Sequence, residues 1–255
     1  MKLPFTTDDG IGSTATLGVV VLQTDQTIEH EFARICTDDG ISLHHTRIPM
    51  CPEITPTTLM NMLADLPSSV SLLSNSNNYD VIGYACTSAA TVIGSEKIQT
   101  AIQQIHPNTL VTDPLDSLIA ACKALEIEKI AFISPYIASV SEQLREKLTK
   151  AGLQITSFAS FEEGDDDVVA RISPSSVLEA IKTISQTEDC DAIIVSCTNL
   201  RILEILNNAE YCSGKPVISS NLALAWNMLR LAQALPCRND LGQLFRQCGS
   251  KSPPL

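Results

Sequence analysis

The stretch Asp80-Val-Ile-Gly-Tyr-Ala-Cys86-Thr87-Ser88 is echoed 111 residues later by Asp191-Ala-Ile-Ile-Val-Ser-Cys197-Thr198-Asn199. The same offset lays Gly18–Leu22 on Lys129–Ile133 and carries Asp25 onto Tyr136. Two registers sharing one offset point to a duplicated β-α unit. The chain is therefore expected to fold as two similar halves, each built on its own sheet.

Short apolar runs alternate with helix-length segments. Strands are expected at 17–22, 41–48, 80–84 and 109–111, then at 130–134, 154–158, 192–196 and 217–219. Helices are expected at 27–36, 57–74, 88–104, 114–125, 139–151, 174–187, 200–209 and 221–235. LGVVVL, IAFIS and DAIIVS are apolar at consecutive positions, as strands covered by helices on both faces must be. This alternation predicts an α/β protein with parallel sheets. The first α/β domain is placed at 1–112, completed by a C-terminal segment at 220–250. The second is placed at 113–219, beginning at the turn-favouring Asp113-Pro114. Pro253-Pro254 marks a non-helical tail.

A net charge of −12 and an aromatic content of 4% argue against nucleic acid, which needs a basic face or stacking platforms. No apolar run reaches the ~20 residues of a membrane span, and MKLPFTTDDG lacks the pattern of a signal peptide. A cytoplasmic protein with no membrane partner is expected. Nine cysteines, at 36, 51, 86, 122, 190, 197, 212, 237 and 248, are odd in number and dispersed, so a disulfide framework is not expected. There is no CxxC pair, and the four histidines show no ligand spacing, so no structural zinc is expected.

Cys86 and Cys197 stand apart because each follows an apolar strand and precedes a helix-capping pair, Thr87-Ser88 or Thr198-Asn199. In parallel α/β sheets, ligands bind beyond the carboxyl ends of strands. A helix N-terminus there favours thiolate, and its amides with nearby hydroxyls can hold a carboxylate without a lysine or arginine. If the halves face each other, one thiolate acts as base or nucleophile while the other thiol donates a proton.

At these residues the chain resembles the aspartate/glutamate racemase superfamily, in the branch of maleate cis-trans isomerases and arylmalonate decarboxylase. It is most similar there to racemase-like proteins associated with ectoine utilisation. The resemblance runs from Gly18 to about Leu231, through Gly18–Glu29, Gly83–Ser88, Ser134-Pro135-Tyr136, Val169–Ile172 and Ser196–Asn199. It implies two Rossmann-like (flavodoxin-like) domains related by a pseudo-two-fold axis, a site in the cleft between them, and no cofactor or metal. In the maleate enzymes the first cysteine attacks the double bond and the second assists as acid, roles that fall on Cys86 and Cys197. Tyr136 matches a tyrosine that contacts a substrate carboxylate. The decarboxylases keep only the second cysteine, so Cys86 argues for a two-thiol reaction.

Where the maleate enzymes carry asparagines, this chain carries Asp25 and, in the run Asp165-Asp166-Asp167, Asp166. An ionised aspartate accepts hydrogen bonds and repels a carboxylate. A substrate with an amine or hydroxyl beside its carboxylate suits Asp25 better than maleate; a turn or helix-cap role is its alternative. Catalysis is thus assigned to Cys86 and Cys197, and substrate binding to Asp25, Thr87, Ser88, Tyr136, Asp166, Thr198 and Asn199. The expected activity is a cofactor-independent racemase or cis-trans isomerase acting on a small (di)carboxylate or amino acid. A decarboxylase or lyase, or a non-catalytic carboxylate-binding protein, is the alternative. A homodimer or larger homo-oligomer is left open. Glu29 and Glu31 read as first-turn helix acids. His44 and His45 read as one packed and one outward residue. Arg47, Pro49 and Pro52 shape a loop, residues 162–167 form a solvated acidic run or lid around Gly164, and Trp226 and Met228 belong to the core.

Overall fold

The computed structural model describes residues 1–246 apart from 9, 39, 52, 76, 187 and 188. Pro52, Cys248, the helix end expected at 187, the last part of the 220–250 segment and the Pro253-Pro254 tail lie outside the described residues. The first sheet comprises β1 (Ala15–Leu22), β2 (Ile41–Ile48), β3 (Val81–Ala85) and β4 (Leu110–Thr112). The second comprises β5 (Lys129–Ser134), β6 (Gln154–Ser160), β7 (Ala192–Val195) and β8 (Val217–Ser219). Both are wholly parallel, in the orders β2-β1-β3-β4 and β6-β5-β7-β8. The central strands are buried on both faces, which is why they read as continuous apolar runs.

The helices are α1 (Ile28–Ile35), α2 (Pro56–Val70), α3 (Thr87–Ile93), α4 (Ser95–Gln103), α5 (Pro114–Ala124) and α6 (Ala138–Lys150), followed by α7 (Asp166–Val169), α8 (Pro174–Ser185), α9 (Leu206–Ser213), α10 (Ser220–Leu231) and α11 (Gly242–Arg246). Thr55, Asp113 and Ser173 start α2, α5 and α8 by one device: a capping side chain followed by proline, whose missing N–H costs nothing there. The helix expected at 88–104 is two helices, broken at Gly94, whose φ of +93° a side chain would oppose. The helix expected at 200–209 begins only at Leu206. No helix among the described residues is long and apolar enough to cross a membrane. Seven described cysteines are free, whereas Cys237 is disulfide-bonded, a cross-link not expected from the spacing.

The repeat is visible as a shared device at the strand starts. Asp80 Oδ2 accepts from Thr16 N at 2.8 Å, and Asp191 Oδ2 accepts from Lys129 N at 2.7 Å. The pairing corrects one register. Val20 pairs with Tyr84 and Ile133 with Val195; Tyr84 and Val195 are 111 apart, so Val20 and Ile133 are 113 apart. The opening strands are thus shifted by two residues from the expected offset, and Asp25 and Tyr136 are not equivalent positions.

Helix α10 packs on α5, α1, β3 and β4 and also reaches β8, so it touches both sheets. Beside it lies Glu31, in the first turn of α1 as expected, and buried at 3% exposure. Its Oε1 accepts from Ile202 N at 2.9 Å and Leu203 N at 2.8 Å, and its Oε2 from Asn221 Nδ2 at 2.8 Å. These backbone amides lie where a helix after Cys197 was expected to begin. Glu31 supplies their acceptor from the other half. Glu31→Ala would leave several buried donors without acceptors, each costing about 1–3 kcal/mol. We expect a loss of about 2–4 kcal/mol, read as a lower urea midpoint with an unchanged slope.

Candidate active site

The loops that follow β1, β3, β5 and β7 meet between the two sheets. Cys86 ends β3 and is the N-cap of α3: its Sγ accepts from Ala89 N at 3.3 Å and lies 3.5 Å from Ser88 Oγ. This is the strand-to-helix context expected from the sequence. Cys197 differs. It has a φ of +139°, a region L-residues avoid, and its Sγ accepts from the Asn199 amide of its own turn at 3.3 Å, with the Tyr136 hydroxyl near enough to favour the ionised form. No helix begins at Thr198, so the following helix expected to favour thiolate at Cys197 is absent.

Both thiols, Tyr136, Asp25 and Asp166 are each no more than 3% exposed. In that dry environment the charged form of every acid is disfavoured. Desolvation, against the opposing bonds from Ser88 and Ala89, pushes the Cys86 thiol up to about 12. Burial and then the negative field of Asp166 push Cys197 well above the ordinary thiol range. The expectation of pKa-lowered thiols is therefore corrected: in this closed arrangement both are held neutral, because burial outweighs the amides. Tyr136 is likewise pushed up by burial and by both cysteines.

Asp25 follows β1 in a loop gripped by Arg47, whose Nη1 donates to Leu22 O at 2.9 Å and Asp25 O at 3.0 Å while Nη2 pairs with Glu29. Asp25 Oδ1 accepts from Thr27 N and Ile28 N, both at 2.8 Å, so the carboxylate does cap a turn. Its Oδ2 is buried with no well-formed hydrogen bond, although the Thr198 hydroxyl is near enough to favour the ionised form. Burial is the largest effect and raises Asp25 to about 7. Asp166, also raised by burial, accepts at Oδ2 from Thr24 Oγ1 at 2.5 Å and Asn199 Nδ2 at 3.1 Å.

Two of the residues expected to face substrate spend their polar atoms on the protein instead. Asn199 Oδ1 accepts from Gln26 N at 2.9 Å, and Nδ2 reaches Asp166 O and Oδ2. Thr87 Oγ1 donates to Ser220 Oγ at 2.9 Å. The Asn199–Gln26 bond ties one half to the other, and the Thr87–Ser220 bond ties α3 to α10. The Asn199 carbonyl also accepts from Thr27 Oγ1, and the Thr198 carbonyl from Asn221 Nδ2. Sequence reasoning missed Thr24, Glu31, Ser220 and Asn221; only Ser219-Ser220-Asn221 at the end of a strand offered a signal, as a run of capping types.

The acidic run at 162–167 is not simply solvated. Ile54 N donates to Gly164 O at 3.1 Å, Glu53 and Asp165 form an antiparallel bridge, and Gln26 Nε2 donates to Asp167 Oδ1 at 3.0 Å. A loop of the first half and a loop of the second thus close over the seam. Outside it, His44 packs edge-on against Tyr79 while His45 is exposed, and Trp226 and Met228 are buried.

Two measurements follow from this burial. Iodoacetamide at pH 7.5, followed by peptide mass spectrometry, should label exposed Cys51 and Cys212 well before Cys86 and Cys197. Asp25 retains its proton on folding between pH ~4, where the unfolded chain releases it, and ~7. Stability from this group is thus present below pH 4 and lost as pH rises through 7, on the order of a few kcal/mol. Asp25→Asn should remove that dependence, so chemical denaturation should show the variant gaining on wild type at pH 8 and not at pH 4.

Comparison with known proteins places these features. Residues 79–245 match the family model described as arylmalonate decarboxylase. A maleate isomerase of Nocardia farcinica is 27% identical over 242 residues, covering 91% of this chain and 95% of the relative. The arylmalonate decarboxylase of Bordetella bronchiseptica is 28% identical over 131 residues, 51% of this chain and 55% of its own. The crystal structure of the maleate isomerase Iso from Pseudomonas putida S16, a cysteine-to-alanine variant with maleate, superposes with a TM-score of 0.82 at 25% identity, covering 91% of this chain and 97% of that one. With the family model matching well over half its length, the chain belongs to the arylmalonate decarboxylase family.

Proposed function

We propose that this protein is a cofactor-independent isomerase, a racemase or cis-trans isomerase, acting on a small carboxylate held between Cys86 and Cys197. The observation that carries this reading is the meeting of two thiols from opposite halves in one buried site, each with two potential donors at its sulfur: Ala89 N and Ser88 Oγ at Cys86, Asn199 N and Tyr136 Oη at Cys197. Relatives named maleate isomerase that align with nine-tenths of the chain support it. The family's decarboxylase activity is the second reading, supported by the Bordetella relative.

The chemistry needs one thiolate and one thiol. In racemisation the thiolate takes a proton from carbon on one face, the charge passes into the adjacent carboxylate, and the opposite thiol returns a proton. In isomerisation the thiolate adds to the double bond while the opposite thiol protonates the neighbouring carbon; the resulting single bond rotates, and return of that proton with loss of the thiolate restores the alkene. Both leave the enzyme unchanged in total protons and electrons. Because burial holds both thiols neutral, an ammonium on the substrate favours formation of the thiolate, whereas a second carboxylate opposes it. Asp25 Oδ2, buried without a well-formed bond, favours a substrate presenting an ammonium or hydroxyl donor.

Solvent-deuterium incorporation and product formation with maleate, L-aspartate and L-malate provide the test. Cys86→Ala and Cys197→Ala should each lose at least about a thousandfold in kcat, and Asp25→Asn should shift preference towards the donor-free maleate. Binding without exchange, isomerisation or CO2 release would sink the catalytic reading. Decarboxylation surviving Cys86→Ala but not Cys197→Ala would favour the second.

A further inference from the structure

Ser220 is the first residue of α10 and is fully buried, yet it does not cap that helix; Ser219 does, accepting from Leu222 N at 3.1 Å. Ser220 Oγ instead accepts two hydrogen bonds that belong to different halves. One is the Thr87 hydroxyl at 2.9 Å, from the residue that follows Cys86. The other is the backbone N–H of Cys197 at 3.1 Å. A hydroxyl oxygen has two acceptor sites, and both are used here. Cys197 needs the support, since its φ of +139° is an unfavourable conformation that persists only where the surroundings enforce it.

We propose that Ser220 is a positioning residue that sets the placement of the two thiols relative to one another, by holding the Cys197 backbone and the Thr87 side chain on one oxygen. This rests on the two-thiol reading above. Without the hydroxyl, Cys197 N–H loses its acceptor and the turn can relax from its strained φ, while Cys86, capped by its own helix, keeps its place. The two thiols are then unequally affected. Displacements of about 1 Å at a reacting group cost on the order of a hundredfold in rate.

The test uses the full-length protein with the same three dicarboxylates as probes. Ser220→Ala should lower kcat 10- to 100-fold with KM changed less than about threefold. Deuterium exchange into substrate should persist relative to product formation, because the first proton transfer survives and delivery from the opposite face suffers. Thr87→Val, which keeps the side-chain shape, should give a smaller loss, and the double variant should be no worse than Ser220→Ala alone. Melting temperatures identify any variant that has merely lost its fold, and Thr87→Val then carries the test. Wild-type kcat in Ser220→Ala, additive losses in the double variant, or exchange and turnover falling together would each overturn the assignment. A wild-type protein inactive on the whole panel would count against the two-thiol reading instead. Alkylation then still decides the positioning: Ser220→Ala should quicken labelling of Cys197 but not Cys86, and equal rates would overturn it.

Discussion

The loops at the carboxyl ends of two parallel sheets are buried against each other, and everything at the seam follows from that constraint. Loops carry backbone donors and acceptors that water normally satisfies; buried, each must find a protein partner or cost free energy. Several of these partners come from the opposite half: Asn199 serves Gln26, Glu31 serves Ile202 and Leu203, and Ser220 serves Cys197. The two similar halves are joined by this exchange of polar partners as well as by the apolar packing of α10.

Excluding water for the sake of the seam also sets the electrostatics of the site. Two thiols, a phenol and two carboxylic acids occupy the seam, and burial raises every one of them. Such a site resists ionisation while closed and responds strongly to any charge or donor introduced into it. Asp25 illustrates this: one oxygen is spent on capping its own turn, and the other is held dry beside Thr198. The loops at 53–54 and 164–165, which meet at the edge of the seam, belong to different halves.

Much of the architecture was legible because it depends on local rules. Buried central strands show as unbroken apolar runs, and a proline after a capping residue marks the starts of α5 and α8. The Cys86 context was legible for the same reason: strand, cap and helix are contiguous. Its apparent twin at Cys197 was not. The same Cys-Thr pattern there leads into a turn, whose Ile202 amide is held by Glu31, 171 residues away. The two-residue shift between β1 and β5 was equally hidden, since neighbouring apolar residues leave the register of a fully buried strand undetermined.

By itself the sequence determined the duplication, the parallel α/β class and the two cysteines at strand ends, all properties of residue order along a few tens of positions. Tertiary structure alone decided that Thr87 and Asn199 bind the protein, that Glu31 is interior, that burial disfavours the thiolate at both cysteines, and that Ser220 meets Thr87 and the Cys197 amide. These depend on which side chain meets which unsatisfied backbone group across the seam. Pairings of that kind leave no periodic or local trace, because the partners are brought together only when two separate sheets pack.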